Sequence, residues 1–228
     1  MLRTPEKLHA LISDDIAYIL PIATFILLTA IASLFPSTYV VVYSIKTFIV
    51  AAMLLYLWPR YTKITWRYWW LGVIVGVVGV VQWVGMELVI LHFFPHYPRP
   101  SVEVFNPVKA IGNPTPRWLF ISLRWADAVL VVPFMEERFW RDFLWRSIIA
   151  PNDFHLAFIG EFEWQAVIVV TLAFCSVHVQ WITAIVWGAM IAVLLVRTRS
   201  LGACIVAHAV TNFLLGGYVL WSHNWYFW

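Results

Sequence analysis

The stretch from Trp69 to Phe94 reads WWLGVIVGVVGVVQWVGMELVILHFF and contains only one Asp, Glu, Lys or Arg, namely Glu87. A helix needs about 20 mostly apolar residues to cross a bilayer, so this stretch predicts a membrane span. Three of its glycines, Gly72, Gly76 and Gly79, recur at helical spacing. They predict a small-residue face that packs closely against another helix.

The composition of the whole chain points the same way. Of its 228 residues 62% are hydrophobic and 12% are charged, and the mean hydropathy is +0.81. Soluble domains carry roughly 25% charged residues, so a soluble monomer and a disordered chain are both excluded. The net charge of +3 comes without a dense basic stripe. This distribution favours the lipid bilayer as a partner and argues against nucleic acid.

Further apolar runs complete an all-α, polytopic integral membrane bundle, predicted as a single domain over residues 1–228. The run Trp118–Ala150 crosses the membrane either once, bent at Pro133, or twice, which gives seven or eight transmembrane helices. Pro95–Arg117 is predicted as a polar loop. The other runs are Ile16–Phe35, Tyr39–Trp58, Trp164–Val179, Trp181–Val196 and Leu201–Trp221.

Basic residues between the spans predict the orientation, because cytoplasmic loops are enriched in Lys and Arg. Arg60, Lys63 and Arg67 follow the second span, which predicts a cytoplasmic N-terminus. Arg197 and Arg199 precede the last span and are expected on the same side. Both clusters are cytoplasmic only if Trp118–Ala150 crosses once. The expected location is a bacterial inner membrane or an ER-type membrane.

Ionisable groups within apolar helices are functional hypotheses by default. Glu136 and Glu137 follow Pro133, and Arg141 lies one helical turn after Glu137, within pairing distance. Glu136 points about 100° away from that pair and is left as a proton acceptor. The alternative interpretation is an interfacial helix start, where acidic residues favour the N-terminal dipole.

Two histidines lie in separate apolar runs. His178 follows Val167–Phe174, and His208 shares a helical face with Asn212, which could orient the imidazole or donate to an oxyanion. Taken singly, each has a structural interpretation as a packing histidine or a polar contact between helices. Together with Glu136 they supply what is needed to bind and activate one water molecule.

Other chemistries are less well supported. The sequence has neither a serine in a nucleophile elbow nor a His-Glu-x-x-His motif. Asp127 and Glu87 lie on separate predicted helices and are interpreted as packing partners of Arg124 and Lys46 respectively. A transporter with Glu136 and the histidines as a relay is a further alternative, but no inverted repeat is visible.

Three motifs resemble the CPBP family of intramembrane proteases (CAAX protease and bacteriocin-processing, Abi), which includes the CAAX prenyl endopeptidases. The family's motifs are Glu-Glu-x-x-x-Arg, Phe-x-x-x-His and His-x-x-x-Asn/Asp. They occur in that order as Glu136-Glu137-x-x-x-Arg141, Phe174-x-x-x-His178 and His208-x-x-x-Asn212. The resemblance covers roughly Pro133–Gly217 and implies a protease-like core at about residues 117–221.

The resemblance implies an intramembrane endopeptidase that hydrolyses a peptide bond near the C-terminus of a membrane-associated or prenylated substrate. Glu136 would be the base, with Glu137 and Arg141 shaping the site. His178 and His208 would bind the water or the oxyanion, with Asn212 completing the pocket. No cofactor is required, although Glu136, His178 and His208 could ligate zinc or another divalent metal. The alternative is a non-catalytic scaffold or bacteriocin-immunity protein with the same fold.

Overall fold

The computed structural model describes residues 13–99 and 104–228, and every regular element in these two ranges is helical. This confirms the predicted all-α fold. Residues 100–103 of the predicted loop Pro95–Arg117 lie outside the described residues, as do residues 1–12. The principal helices are α1 (Asp14–Leu34), α2 (Tyr39–Tyr56), α3 (Trp69–Phe93), α4 (Pro114–Ile149), α5 (Trp164–Ser176), α6 (Trp181–Thr198) and α7 (Leu201–Ser222).

The structure supports six of the seven or eight predicted spans. Within the described ranges, six helices are long and apolar enough to cross a membrane, and α5 is a shorter apolar helix of 13 residues whose crossing stays a prediction. α4 is one continuous helical stretch of 36 residues, so the alternative of two antiparallel spans in this region is wrong. The protein is a multi-pass integral membrane protein.

The chain divides into two compact units, Met1–Lys63 and Ile64–Trp228, and the prediction of one domain over 1–228 stays a prediction. In the first unit α1 and α2 pack together, and the Tyr18 hydroxyl lies 3.0 Å from that of Thr62. The buried Lys46 ammonium lies 3.8 Å from the ring centroids of Phe25 and Tyr43. All residues of the predicted catalytic core belong to the second unit.

Close packing of α3 against α7 organises the second unit. A Cβ built on Gly76 would lie 2.7 Å from the carbonyl oxygen of Ala207 and 2.7 Å from Cβ of Val210. The Thr211 hydroxyl donates to the Gly76 carbonyl at 2.9 Å, across the same contact. The predicted small-residue face is therefore confirmed, and it fixes the helix that carries His208.

α4 is interrupted by two π-helical segments, Asp127–Val131 and Arg138–Leu144, on either side of the short α-helical piece Val132–Glu137. π-Helical turns widen the helix locally and recur at functional sites. Pro133 contributes to the first interruption because it has no N–H to donate to a preceding carbonyl. Glu136 and Glu137 are the last two residues of this α-helical piece, which lies between the two wider π-helical segments.

Candidate active site

Glu137 is the best-partnered carboxylate of the predicted site. It is fully buried, and its Oε1 accepts a hydrogen bond from Nδ1 of His208 at 2.8 Å. Nε of Arg141 lies 3.3 Å from Oε2 of the same carboxylate, which confirms the predicted pairing one turn along the helix. The Arg141 guanidinium also stacks over the Phe174 ring, 4.6 Å from its centroid. A buried carboxylate is tolerated only with such partners.

Glu136, the neighbouring residue, is in a contrasting position. Its side chain is 8% exposed and lines a cavity of about 200 Å³. Within the described part of the chain, its buried Oε2 has no hydrogen-bond partner. Two adjacent carboxylates are thus separated in role, because Glu137 is held by a histidine and an arginine while Glu136 faces the cavity.

His178 reaches the same cavity from the end of α5. Its Nδ1 lies 2.8 Å from the carbonyl oxygen of Phe174, and a carbonyl only accepts, so the proton is on Nδ1. The ring packs at 4.3 Å on the Phe174 ring and edge-on against Trp83 at 5.7 Å. These contacts fix the imidazole and leave Nε2 as the free nitrogen.

His208, on α7, is also held in orientation by a hydrogen bond at Nδ1. Its Nδ1 donates to Glu137, and its ring lies edge-on to the Trp187 ring at 6.2 Å between centroids. A carboxylate bonded to Nδ1 holds the imidazole in one orientation and stabilises positive charge on the ring. Both histidines therefore have Nδ1 engaged, and both line the cavity with Glu136.

Asn212 lines the cavity as well, but it does not contact the imidazole of His208. Its Nδ2 donates to the carbonyl of Ala128 at 2.7 Å, so the prediction that Asn212 orients this ring is wrong. The N–H of Val132 bonds to the Asp127 carbonyl, five residues back. Residue 133, five after Ala128, is proline and cannot donate, so the Ala128 carbonyl is free to accept from Asn212.

The predicted convergence of the motif residues is therefore confirmed in part. Glu136, His178, His208 and Asn212 line one cavity, whereas Glu137 and Arg141 lie behind it and act on His208. Phe174, the first residue of the Phe-x-x-x-His motif, lines the cavity as well. The other polar and aromatic lining residues belong to none of the three motifs. These are Trp83, Gln180, Trp187, Thr211, Phe227 and Trp228.

The predicted pairing of Glu87 with Lys46 stays a prediction, and Glu87 has other partners within its own unit. Its fully buried carboxylate accepts hydrogen bonds from Tyr97 and Tyr226, both at 2.6 Å, and from Thr183 at 2.8 Å. Burial, together with the bond to this carboxylate, raises the pKa of both tyrosines, so both hydroxyls stay protonated as donors. No sequence motif indicates this cluster.

The side chains of the cavity do not form a cluster of metal ligands. In residues 13–99 and 104–228 no three His, Cys, Asp or Glu side chains form a group that could hold a metal ion. The bonds of Nδ1 in His208 and His178 leave Nε2 of each ring available, so these bonds do not decide the question. A zinc site formed by Glu136, His178 and His208 stays a prediction.

Residues 117–214 match the family model described as type II CAAX prenyl endopeptidase Rce1-like. No curated protein and no solved structure matches the chain significantly. The matched segment contains all six residues predicted for the site, from Glu136 to Asn212. Over residues 117–214 the chain is therefore similar to the Rce1-like family, which confirms the resemblance to the CPBP and CAAX protease family that the three motifs indicated.

Proposed function

We propose that the protein is an intramembrane endopeptidase that cleaves a membrane-associated, CAAX-type substrate near its C-terminus. The observation that carries the proposal is the buried, unpartnered Oε2 of Glu136, in a cavity that also contains two imidazoles with oriented rings. This combination supplies a proton acceptor and fixed hydrogen-bonding groups in one cavity. The prenylated substrate class rests on the family match alone.

In the proposed reaction a water molecule lies between Glu136 and His178. It donates one hydrogen bond to the Glu136 carboxylate and the other to Nε2 of His178. Glu136 takes a proton as the water oxygen bonds to the scissile carbonyl carbon. The C–N bond then breaks, and the proton held by Glu136 passes to the leaving amine. The carboxylic acid and the amine formed in this way exchange the second proton of the water, so the products are a carboxylate and an ammonium group, with no acyl-enzyme.

Two hydrogen-bond donors, one from His208 and one from Asn212, stabilise the oxyanion of the tetrahedral intermediate. His208 is an imidazolium in this step, because Glu137 stabilises its charge, and its Nε2–H donates to the oxyanion. The second N–H of Asn212, whose first bonds to Ala128, donates to the same oxygen. Glu137 and Arg141 are positioning residues that act through His208. No step of this mechanism passes through a metal or another cofactor.

The direct test uses the purified full chain in nanodiscs with a quenched, prenylated peptide. Wild-type protein is expected to release product, and Glu136→Gln to lose at least about 100-fold in kcat, as expected for loss of a general base. Glu163→Gln is the matched control, because Glu163 is an exposed glutamate outside the cavity. Equal turnover by wild type and Glu136→Gln would favour the non-catalytic scaffold.

We also propose a cytoplasmic N-terminus. With α4 crossing once, seven crossings place both basic clusters, Arg60–Arg67 and Arg197–Arg199, on the side of the N-terminus, in line with the positive-inside rule. A cysteine at the exposed position Asn152 reports the loop after α4. Labelling from the cytoplasmic side is expected, and labelling only from the outside would contradict this orientation.

A further inference from the structure

Gln180 is a polar side chain of the cavity that the proposed mechanism does not use. It lies two residues after His178, in the short connection between α5 and α6, and it is only 9% exposed. Its side chain lines the same cavity as Glu136, His178 and His208. Because buried polar groups are normally hydrogen-bonded, both ends of this amide need a partner.

One end of the Gln180 amide is held by the segment that follows α7. Its Nε2 lies 3.2 Å from the carbonyl oxygen of Tyr226. A carbonyl oxygen only accepts, so the nitrogen of the amide and not its oxygen faces Tyr226. The Tyr226 hydroxyl donates to the buried Glu87 carboxylate at 2.6 Å and accepts from the Arg99 guanidinium at 2.8 Å. These bonds fix the position of the carbonyl and, through it, the orientation of the amide.

The segment that carries this carbonyl reaches the cavity through a tight turn. His223 follows the last residue of α7 in a left-handed conformation, with φ of 56°. The 3₁₀ turn Trp225–Phe227 comes next and places the Tyr226 carbonyl opposite Gln180. Phe227 then lines the cavity. The contact between Gln180 and Tyr226 therefore lies at the edge of the proposed active site.

The other end of the amide is available to a bound molecule. Within the part of the chain that the structure describes, Oε1 of Gln180 accepts no hydrogen bond. This oxygen is also absent from the partnerless side-chain atoms that protein fully encloses in the described ranges. Because the side chain lines the cavity, Oε1 is left to accept from a group that enters it.

The polar groups on which the proposed reaction depends have other tasks. Glu136 and Nε2 of His178 hold the attacking water, and His208 and Asn212 donate to the oxyanion. A peptide in the cavity also brings backbone N–H groups, which lose their hydrogen bonds to water on entry. Such a group is costly to bury unless an acceptor replaces the water. Oε1 of Gln180 is an acceptor of this kind, and its orientation is already fixed.

We propose that Oε1 of Gln180 accepts a hydrogen bond from a backbone N–H of the substrate, next to the scissile peptide group. The inference rests on the proposed function and adds a substrate-binding residue that belongs to none of the three motifs. An acceptor fixed beside the water and the oxyanion donors holds the peptide in one register. The scissile carbonyl is thereby held in reach of the water, which favours reaction of the bound substrate.

The test combines a change in the protein with a change in the substrate. Two depsipeptide forms of the quenched peptide keep the scissile bond and replace one N–H by oxygen. In the first, the residue that carries the scissile carbonyl loses its N–H, and in the second, the second residue after the scissile bond loses it. For all three peptides kcat/KM is measured on the full chain in nanodiscs, and mass spectrometry identifies the bond that is cleaved.

Wild type is expected to lose about 3- to 10-fold in kcat/KM on one of the two depsipeptides, as for one hydrogen bond. Gln180→Leu removes the acceptor, so its kcat/KM on the amide peptide is expected to fall by a similar factor. In this variant the same depsipeptide is then expected to equal the amide peptide within about 2-fold. Gln180→Glu keeps an acceptor oxygen and is expected to retain the wild-type preference for the amide. Melting temperatures show that the variants are folded.

Gln82→Leu is the matched control. Nε2 of Gln82 also donates to a backbone carbonyl at 3.2 Å, that of Thr183, but Gln82 does not line the cavity. This variant is expected to retain the wild-type ratio between amide and depsipeptide, whatever its effect on stability. Because the readout is a ratio of two substrates on one protein, a loss of folded protein does not change it.

Three outcomes would overturn the inference. One is an equal ratio in wild type and Gln180→Leu for both depsipeptides, and another is an equal change of the ratio in Gln82→Leu. The third is that no peptide binds, measured as Kd on the Glu136→Gln variant. Binding that depends on the N–H and on Gln180, without product from wild type, would support the inference and refute the proposed hydrolysis instead.

Discussion

Oε1 of Glu137 lies 2.8 Å from Nδ1 of His208, although 71 positions separate the two residues along the chain. Arg141 approaches the other oxygen of the same carboxylate at 3.3 Å. The second glutamate of the motif therefore holds a histidine from behind the cavity, and this leaves the first glutamate as the only one of the pair that lines it. The two carboxylates have different surroundings although they are adjacent.

Glu137→Gln is expected to lower kcat about 100- to 10,000-fold with little change in KM. The amide is neutral, so it no longer stabilises positive charge on His208, although it still fills the same space. Steady-state kinetics on the quenched peptide measures the split between kcat and KM. Glu137→Asp keeps the charge and is expected to recover part of the loss. A change confined to KM would contradict the positioning role.

Gly76→Ala is expected to destabilise the protein by about 1–3 kcal/mol, because the added methyl group would press on the α7 backbone at Ala207. Gly85→Ala on the same helix is the matched control. A Cβ at Gly85 meets nothing within 4 Å, so the substitution is expected to be neutral or stabilising by up to about 1 kcal/mol. Thermal unfolding in detergent compares the two. Equal melting temperatures for the two variants would argue against the close contact of α3 with α7.

Asn212 and Pro133 are expected to be coupled. Asn212→Leu removes the donor to the Ala128 carbonyl and is expected to cost about 0.5–1.5 kcal/mol, the net contribution of one hydrogen bond, because this contact is only partly buried. Pro133→Ala restores an N–H five residues after that carbonyl and should recover part of the loss. A double-mutant cycle of unfolding free energies measures the coupling. Strict additivity would refute the explanation given for the Asn212 contact.

Arg146→Ala is expected to cost about 3–5 kcal/mol of unfolding free energy, because it removes the guanidinium that lies 2.6 Å from the buried Asp142 carboxylate. The same side chain donates to the Phe154 carbonyl and holds the loop after α4. Arg60→Ala is the control, since its partner Asp14 is 44% exposed and such pairs contribute about 0–1 kcal/mol. Chemical or thermal unfolding measures the loss of unfolding free energy in both variants. Similar losses in Arg146→Ala and Arg60→Ala would contradict the prediction.

Excess EDTA is expected to leave turnover of the quenched peptide unchanged. The three side chains that could ligate zinc share the cavity without forming a ligand cluster in the described residues. Re-addition of zinc, manganese or magnesium to the chelated sample is the control. Loss of activity in EDTA that one of these ions restores would replace the proposed mechanism with a metal-dependent one.

Hydropathy alone predicts the ends of the helices to within a few residues. The free energy of transferring a side chain into lipid depends on that side chain and does not require knowledge of tertiary contacts. The prediction Trp69–Phe94 corresponds to a helix over Trp69–Phe93, and Leu201–Trp221 to one over Leu201–Ser222. The pair formed by Glu137 and Arg141 is also local, one turn apart on the same helix. Such features can be derived from spacing.

Contacts that depend on tertiary structure could not be derived in this way. The partner of Asn212 depends on the π-helical segment Asp127–Val131 and on Pro133, which lies two residues after it and has no N–H to donate. The hydroxyl partners of Glu87 could not be found by counting opposite charges. The structure satisfies that carboxylate mainly with hydroxyl groups, two of them from tyrosines outside the spans. Nothing in the sequence of Trp225–Trp228 indicates that it returns to the cavity.

The Glu87 carboxylate makes one position of the chain depend on three others. It is fully buried and accepts hydrogen bonds from Tyr97, Tyr226 and Thr183. A buried carboxylate that lacks donors is strongly unfavourable. A natural sequence change that removes one of these hydroxyls is therefore expected to occur together with a neutral residue at position 87.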